Sequence, residues 1–301
     1  MVMTYGELYR RMRRELEQTE GTQSAVIARE LLSLASGHEP AKLMGMQSIY
    51  APDKVGECAM ALTVRILAGE PLAYVLGKWS FYGLELTVTP DVLIPRDDTM
   101  AVVELALEQR ESLPEKPRVL DLCTGSGCIG LAIASQWTDA RVTLADLSPQ
   151  ALKIARLNVT DLHMSGRVTC VQADATKPAD PFLGKFDLLI SNPPYITTAE
   201  MPELQPSVRD YEPHMALWGG EDGLDFYRAI AQNYASAIKP GGFLCLEFGQ
   251  GQEDGVSRIL QQHDFEILRL RKDAGGIIRA VLARKKERNH EDGYGKEEGR
   301  A

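Results

Sequence analysis

The sequence predicts an α/β fold: a doubly wound, seven-stranded, mostly parallel sheet behind a small all-α N-terminal domain. Three observations carry this prediction. Apolar residues recur at helical spacing from residue 4 to about 70. From Arg118 onward, short apolar runs alternate with amphipathic stretches, the pattern of a parallel sheet with helices on both faces. A glycine-rich turn joins the first of those runs to the helix after it.

Taken in order, Leu8, Met12 and Leu16 share one helical face, as do Ile27, Leu31, Leu32 and Ala35, and Gly37 and Pro40 stop the second helix. A third helix is expected from Pro52 to Ala68, with Ala59, Leu62, Ile66 and Leu67 on its apolar side and Gly69-Glu70-Pro71 ending it. Trp79–Tyr82 and Leu84–Val88 flank Gly83 as a hairpin, and a proline-containing loop leads to a helix from about Asp98 to Gln109. Strands are expected at Val119–Cys123, Arg141–Asp146, Arg167–Gln172, Phe186–Ser191 and Gly242–Phe248. Helices are expected from about Gly127, over Pro149–Leu162, Leu224–Ile238 and Gln252–His263. The last two strands, Phe265–Leu270 and Gly276–Ala283, are joined by a short turn and should pair antiparallel. The expected divisions are a helical docking domain over 1–75, a hairpin linker over 76–97, a catalytic domain over 98–284 and a disordered charged tail over 285–301.

Composition narrows the function classes. The 301 residues suit about two domains at ~150 residues each. With 33 Lys+Arg against 42 Asp+Glu the net charge is -9, so no global field grips a phosphate backbone, and no stable nucleic acid binding is expected. Five Cys with no C-x-x-C spacing argue against a disulfide scaffold or zinc ribbon, and no metal is expected. Met1–Glu20 is rich in Arg and Glu and lacks the apolar core of a signal peptide, and no apolar run reaches the ~20 residues that span a bilayer. A cytoplasmic monomer is expected.

The turn Asp121-Leu122-Cys123-Thr124-Gly125-Ser126-Gly127 lies where a strand ends and a helix begins, the edge at which open α/β sheets bind ligands. Asp146 ends the next strand, where a carboxylate can accept hydrogen bonds from ribose hydroxyls, and Asp174 follows the third. Two cofactors fit. Gly125-x-Gly127-x-x-Gly130 with Asp146 downstream satisfies the dinucleotide pattern. S-adenosylmethionine lacks a pyrophosphate and instead offers an amino-acid carboxylate and ammonium, which backbone groups and Asp121 can meet. The loop alone leaves both open.

Asn192-Pro193-Pro194-Tyr195 follows the fourth strand and decides between them. Two prolines fix φ and remove two donors. What remains is acceptors, the Asn192 side-chain oxygen and the Pro193 carbonyl, which can hold both hydrogens of an NH2 group. Tyr195 adds an aromatic face for a planar group. Holding both hydrogens out of the old plane favours a more tetrahedral nitrogen, whose lone pair can meet the methyl group on a sulfonium. That is an in-line displacement helped mainly by positioning. Hydride transfer has no use for such a motif.

With these motifs the sequence resembles a class I S-adenosylmethionine-dependent methyltransferase of Rossmann-like fold. Pro71-Leu-Ala-Tyr-Val-Leu-Gly77, Phe81-Tyr82-Gly83, Leu93-Ile-Pro-Arg96, Val208-Arg-Asp-Tyr-Glu-Pro213 and Gly219-Gly-Glu-Asp-Gly-Leu224 resemble the release factor glutamine methyltransferase family in their order. The resemblance implies transfer of a methyl group from S-adenosylmethionine, leaving S-adenosylhomocysteine, to the side-chain amide (N5) of the glutamine in the Gly-Gly-Gln motif of class 1 peptide chain release factors. It implies Asp121, Cys123, Thr124, Gly125, Ser126 and Gly127 around the cofactor, Asp146 on the ribose, Asp174 and Ala175 beside the adenine, and Asn192, Pro193, Pro194 and Tyr195 around the glutamine. Asn192, Pro193 and Tyr195 are the expected catalytic residues, with Asn192 also near the cofactor. Asp97 and Met100 stand where the family has proline and glutamate, and Cys123 where it often has glycine. No catalytic residue is therefore assigned to the 94–100 loop. Two alternatives accompany this reading: an amino-methyltransferase of nucleic acid (adenine N6 or guanine N2), and a cofactor-binding protein without catalysis.

Overall fold

The computed structural model describes residues 3–287, which form two compact units. The first comprises the chain up to Pro95 together with Ala199–Trp218. The second comprises Arg96–Thr198 and the chain from Gly219 onward.

The first unit is a helical cluster with a hairpin. Helix α1 (Tyr5–Glu20) starts at a capping box in which Thr4 and Glu7 satisfy each other's backbone N–H groups. Leu8, Met12 and Leu16 on α1 are fully buried, as the helical period requires. Helix α2 (Ser24–Ser36) ends at Gly37, whose φ of 66° places it in the left-handed region and whose N–H closes on the Ser33 carbonyl. Helices α3 (Pro40–Met44), α4 (Asp53–Leu67) and α5 (Leu72–Leu76) complete the cluster, and Ala59, Leu62 and Ile66 of α4 join its core. Strands β1 (Lys78–Phe81) and β2 (Leu84–Thr87) form the hairpin. Its turn holds both Tyr82 (φ 50°) and Gly83 (φ 76°) left-handed, the twist-matched geometry of a two-residue hairpin.

The hairpin groups with the first unit, and so does the 199–218 segment, which the expected division places with the catalytic domain. Two hydrogen bonds tie that segment down within the first unit. The Tyr211 hydroxyl donates to the Ala68 carbonyl at 2.8 Å, and Glu212, only 5% exposed, accepts from the Ile94 N–H at 3.2 Å. Tyr211-Glu212-Pro213 is thus tied down as part of this unit. Of the expected tail, residues from 288 lie outside the described residues.

The second unit opens with helix α6 (Met100–Leu107) and is built on strands β3 (Arg118–Leu122), β4 (Arg141–Asp146), β5 (Val168–Gln172), β6 (Phe186–Ser191), β7 (Ile238–Glu247), β8 (Phe265–Lys272) and β9 (Ile278–Lys285). Helices α7 (Cys128–Gln136), α8 (Pro149–Asp161), α10 (Asp225–Asn233) and α11 (Glu253–Gln262) follow β3, β4, β6 and β7; the short α9 (Pro206–Arg209) lies in the 199–218 segment of the first unit. The strand order is β5-β4-β3-β6-β7-β9-β8, parallel from β5 to β7, with β9 antiparallel to both β7 and β8. Every residue of β6 is buried, as a strand covered on both faces requires. The chain adds β4 and β5 to one side of β3 and then returns to add β6 on the other. The switch point therefore lies between β3 and β6, where open α/β sheets bind their ligands.

Candidate functional site

In the parallel register Leu122 of β3 lies beside Ser191 of β6, and the Ser191 hydroxyl donates to the Leu122 carbonyl at 2.5 Å. The glycine loop and the Asn192–Tyr195 turn therefore leave the sheet side by side at the switch point. Sequence reasoning placed both at one sheet edge, and the structure brings them together.

Asp121 anchors the loop from below. It is fully buried, and its Oδ2 accepts from the Thr124 hydroxyl at 2.5 Å and the Gly130 N–H at 2.9 Å. Its Oδ1 and the buried Ser126 hydroxyl have no hydrogen-bond partner among the described residues. Burial pushes the Asp121 pKa up to about 7 against those hydrogen bonds, with the charge of Asp146 adding to the rise. A buried acceptor without a donor is costly unless a ligand supplies one, and an ammonium is such a donor.

The glycines divide the work above it. Gly125 (φ 54°) faces open space: a Cβ there would meet no atom within 4 Å. A Cβ on Gly130 would sit 2.3 Å from Leu144 Cδ2, so this glycine is needed for α7 to lie close on the sheet. Cys123 takes φ 59°, a left-handed conformation that glycine adopts freely and an L side chain does not. The departure at this position is therefore a local strain as well as a change of side chain. Burial pushes the thiols of Cys123 and Cys128 up, Cys128 to about 12, which suits packing residues rather than nucleophiles.

Asp146 closes the far side. Its Oδ2 accepts from the Gly125 N–H at 2.8 Å and its Oδ1 from the Ser148 N–H at 2.9 Å. Each oxygen keeps a second lone pair for a hydroxyl. Asp174 is differently placed. Its Oδ1 accepts from the N–H and hydroxyl of its own neighbour Thr176, and Oδ2 pairs with Lys177 at 3.3 Å. Its carboxylate is turned onto its own loop, while Ala175 beside it is buried in the core.

The Asn192 side chain donates from Nδ2 to the Thr99 hydroxyl at 3.3 Å. Glu247, at the end of β7, is 1% exposed, and its Oε2 has no hydrogen-bond partner among the described residues. Burial, with Asp98 nearby, pushes the Glu247 pKa up to about 8 against the opposing influence of Thr99, Arg279 and Asn192. Pro193 and Pro194 are buried and Tyr195 half-buried, its phenol pushed up by burial and by Glu247.

Beneath this turn lies the Gly219–Gly223 run. A Cβ on Gly219 would come within 2.6 Å of Tyr195 Cα and 2.7 Å of the Pro194 carbonyl, and one on Gly223 within 2.3 Å of the Tyr195 carbonyl. Gln252 clamps the same segment: its Nε2 donates to the Tyr195 carbonyl at 3.0 Å and its Oε1 accepts from Gly249 N–H at 2.9 Å. Sequence reasoning missed Thr99, Glu247 and Gln252. Thr99 lies in the loop to which no catalytic residue was assigned. The apolar flanks of Glu247 gave one signal: an acid at the buried end of a strand needs a partner.

The chain is 43% identical over 213 residues to the release factor glutamine methyltransferase of Clostridium acetobutylicum, covering 71% of this chain and 74% of that protein. It is 40% identical over 269 residues to the release factor glutamine methyltransferase of Geobacter sulfurreducens, covering 88% and 91%. The chain belongs to the release factor glutamine methyltransferase family. The methyltransferase small domain model also matches residues 102–204, the stretch that carries the glycine loop and the Asn192–Tyr195 turn. A Pyrococcus furiosus methyltransferase structure has the same fold, with a TM-score of 0.50 at 16% identity, covering 74% of this chain and 98% of that one. The family's resemblance in sequence thus coincides with the seven-stranded sheet. No helix among the described residues is long and apolar enough to cross a membrane. Among those residues no group of three or more His, Cys, Asp and Glu could hold a metal ion.

Proposed function

We infer that the protein methylates the side-chain amide nitrogen of the glutamine in the Gly-Gly-Gln motif of class 1 release factors, using S-adenosylmethionine. The observation that carries this is the pairing of Leu122 with Ser191, which sets the Asn192–Tyr195 turn beside the glycine loop at the sheet's switch point. The donor set fits the cofactor: the unpaired Asp121 Oδ1 suits its ammonium, the open space at Gly125 admits it, and the Asp146 oxygens suit its ribose hydroxyls. Thr124, Ser126 and Gly127 complete the loop, with Cys123 at its start and Ala175 on the adenine side. The Asp174 carboxylate contributes less, because Thr176 and Lys177 hold it.

The cofactor supplies an electrophilic methyl group on a sulfonium. The chain's own part is positioning. An amide nitrogen is a poor nucleophile because its lone pair is delocalised. The Asn192 side-chain oxygen and the Pro193 carbonyl accept one hydrogen each from the substrate NH2, which draws the nitrogen towards a tetrahedral form. Tyr195 lies against the flat amide, and Pro194 fixes the turn. The methylated nitrogen is acidic and gives its proton to water, so no strong base is demanded. Action as a monomer in the cytoplasm belongs to this reading; the cysteines among the described residues are all free.

The test is to incubate the protein with methyl-labelled cofactor, purified class 1 release factor, RNA and DNA together. Label in the release factor is expected. Label in RNA or DNA alone would establish the nucleic acid alternative, and cofactor binding without transfer the non-catalytic one.

A further inference from the structure

Two side-chain amides stand behind the site, one behind each of its loops, and neither enters the reaction as described above. Asn158 comes from α8 and is 1% exposed, and its Nδ2 donates to the Ser126 carbonyl at 2.9 Å. Gln252 stands at the start of α11. Its Nε2 donates to the Tyr195 carbonyl at 3.0 Å and reaches the Gly223 carbonyl at 3.5 Å, while its Oε1 accepts from the Gly249 N–H at 2.9 Å.

The partners are backbone groups, which fixes the direction of every bond. A carbonyl can only accept and an N–H can only donate. Reversing the Gln252 amide would set its oxygen against two carbonyls and its NH2 against an N–H. Reversing Asn158 would set its oxygen against the Ser126 carbonyl.

The two amides hold different things. The cofactor loop is pinned on one side by β4, where the Thr124 N–H donates to the Ala145 carbonyl at 3.0 Å and the Gly125 N–H to Asp146 at 2.8 Å. Asn158 pins it again at Ser126, from α8. The Asn192–Tyr195 turn contains two prolines without N–H groups, so its carbonyls are its main backbone anchors. Gln252 takes the last of them and ties it to the segments before α10 and after β7. The space there is full. A Cβ on Gly223 would come 2.5 Å from Gln252 Nε2, and one on Gly249 would come 3.1 Å from both Gln252 Oε1 and Tyr195 Cδ2.

We propose that Asn158 and Gln252 are positioning residues with separate duties: Asn158 sets the loop that receives the cofactor, and Gln252 sets the turn that presents the substrate nitrogen. The duty of Gln252 in methyl transfer rests on the reading of that turn as the holder of the glutamine amide, whereas both holds are properties of the folded chain. A carbonyl that loses its donor inside the protein is costly, so its loop shifts to find another. A shift of about 1 Å in a group that aligns a displacement lowers the rate about 100-fold.

The test uses the full chain, in which Gln252→Met keeps the length and Asn158→Leu the bulk, and each removes the amide. Gln252→Met should lower single-turnover methyl transfer to release factor about 100-fold at saturating cofactor. Its cofactor dissociation constant should stay within threefold of wild type. Asn158→Leu should show the reverse: a cofactor dissociation constant raised about tenfold, and a smaller loss of rate at saturation. An amide that only supports the fold would lower the denaturation midpoint without this crossed pattern. A further readout needs neither activity nor variants. In 15N-labelled wild-type protein, the side-chain NH2 groups of Asn158 and Gln252 should exchange with water at least tenfold more slowly than that of the exposed Gln250.

Fast exchange of either NH2 in wild-type protein would overturn the proposal, whether or not the variants fold. So would a folded Gln252→Met with wild-type transfer, a folded Asn158→Leu with wild-type cofactor affinity, or equal losses of affinity and rate in both. Wild-type protein that protects both amides and binds cofactor but methylates no release factor would sink the proposed function, and leave the Asn158 hold and its effect on cofactor binding standing.

Discussion

Acid should weaken cofactor binding through a single buried carboxyl. Burial lifts Asp121 to about 7 because the carboxylate loses its hydration, and the hydrogen bonds from Thr124 and Gly130 offset only part of that loss. Near neutrality the free protein therefore carries this group partly protonated. An ammonium beside Oδ1 favours the ionised form. Below about pH 7 each binding event must then expel a proton, and affinity falls about tenfold for each pH unit. Between about pH 7 and about pH 5 the dissociation constant should thus rise on the order of 100-fold. The ligand's own α-amino group loses its charge at about 7.7–8.0, so affinity should be highest between about pH 7 and 8. Titration calorimetry in two buffers of different ionisation enthalpy checks both parts, because the released proton appears as a buffer-dependent heat. Asp146, also raised by burial, titrates in the same direction. Asp121→Asn separates the two: it should bind more weakly and lose most of the acid dependence. A wild-type dissociation constant that is flat from about pH 5 to about pH 7, or one that moves no proton, would refute the assignment of Asp121 to the ammonium.

Three further outcomes follow from the same geometry. Without ligand, stability should fall as pH rises from about 4 towards about 8, because Asp121 and Glu247 have raised values, so the folded state holds more protons than the unfolded one; denaturant midpoints across that range check it, and Glu247→Gln should flatten its upper part. Gly219→Ala should lower stability by about 1–3 kcal/mol and slow methyl transfer, since its Cβ would meet Tyr195 Cα at 2.6 Å with only backbone to move aside; wild-type melting and turnover would contradict the packing described. Cys123→Gly should leave stability unchanged or raise it by up to about 1 kcal/mol, because relief of the left-handed φ of 59° outweighs or balances glycine's greater freedom when unfolded; a clear loss in a denaturation midpoint would show that the Cys123 side chain contributes more than its backbone strain removes.

Much of the fold was legible because the sheet is buried on both faces. The Leu188–Ile190 run of β6 and the Asp146 that ends β4 mark those strands at their observed limits. Two of the departures have clear local causes. Cys123 looks like the last residue of an apolar strand, but its left-handed φ takes it out of the sheet. Lys239-Pro240-Gly241-Gly242 reads as a turn after a long helix, yet Ile238 already pairs with Phe186 across a register shift, so β7 starts early and α10 stops at Asn233. For the site, the residues that offer themselves to a ligand were visible in two short motifs. The residues that hold those motifs were not. Thr99 and Gln252 bond Asn192 and Tyr195 from elements distant in sequence, and a threonine or glutamine at a helix start has many ordinary uses. The grouping of Ala199–Trp218 with the N-terminal helices was likewise hidden, because it comes from contacts between segments distant in sequence, among them the hydrogen bonds to Ala68 and Ile94, and leaves no periodicity.

The central claim is that Asn192 holds the substrate nitrogen for methylation, and single-turnover transfer by Asn192→Ala tests it most directly. The reaction is run with saturating cofactor on release factor, and the modified residue is located by mass spectrometry of the Gly-Gly-Gln peptide. If the contact acts mainly in the transition state, its loss removes about 2.7–4 kcal/mol, so kcat and kcat/KM should fall together by about 10²–10³ while cofactor affinity changes little. The residual methyl group should still be on the glutamine amide nitrogen. Transfer by Asn192→Ala at the wild-type rate, or wild-type label on any other atom, would contradict the account.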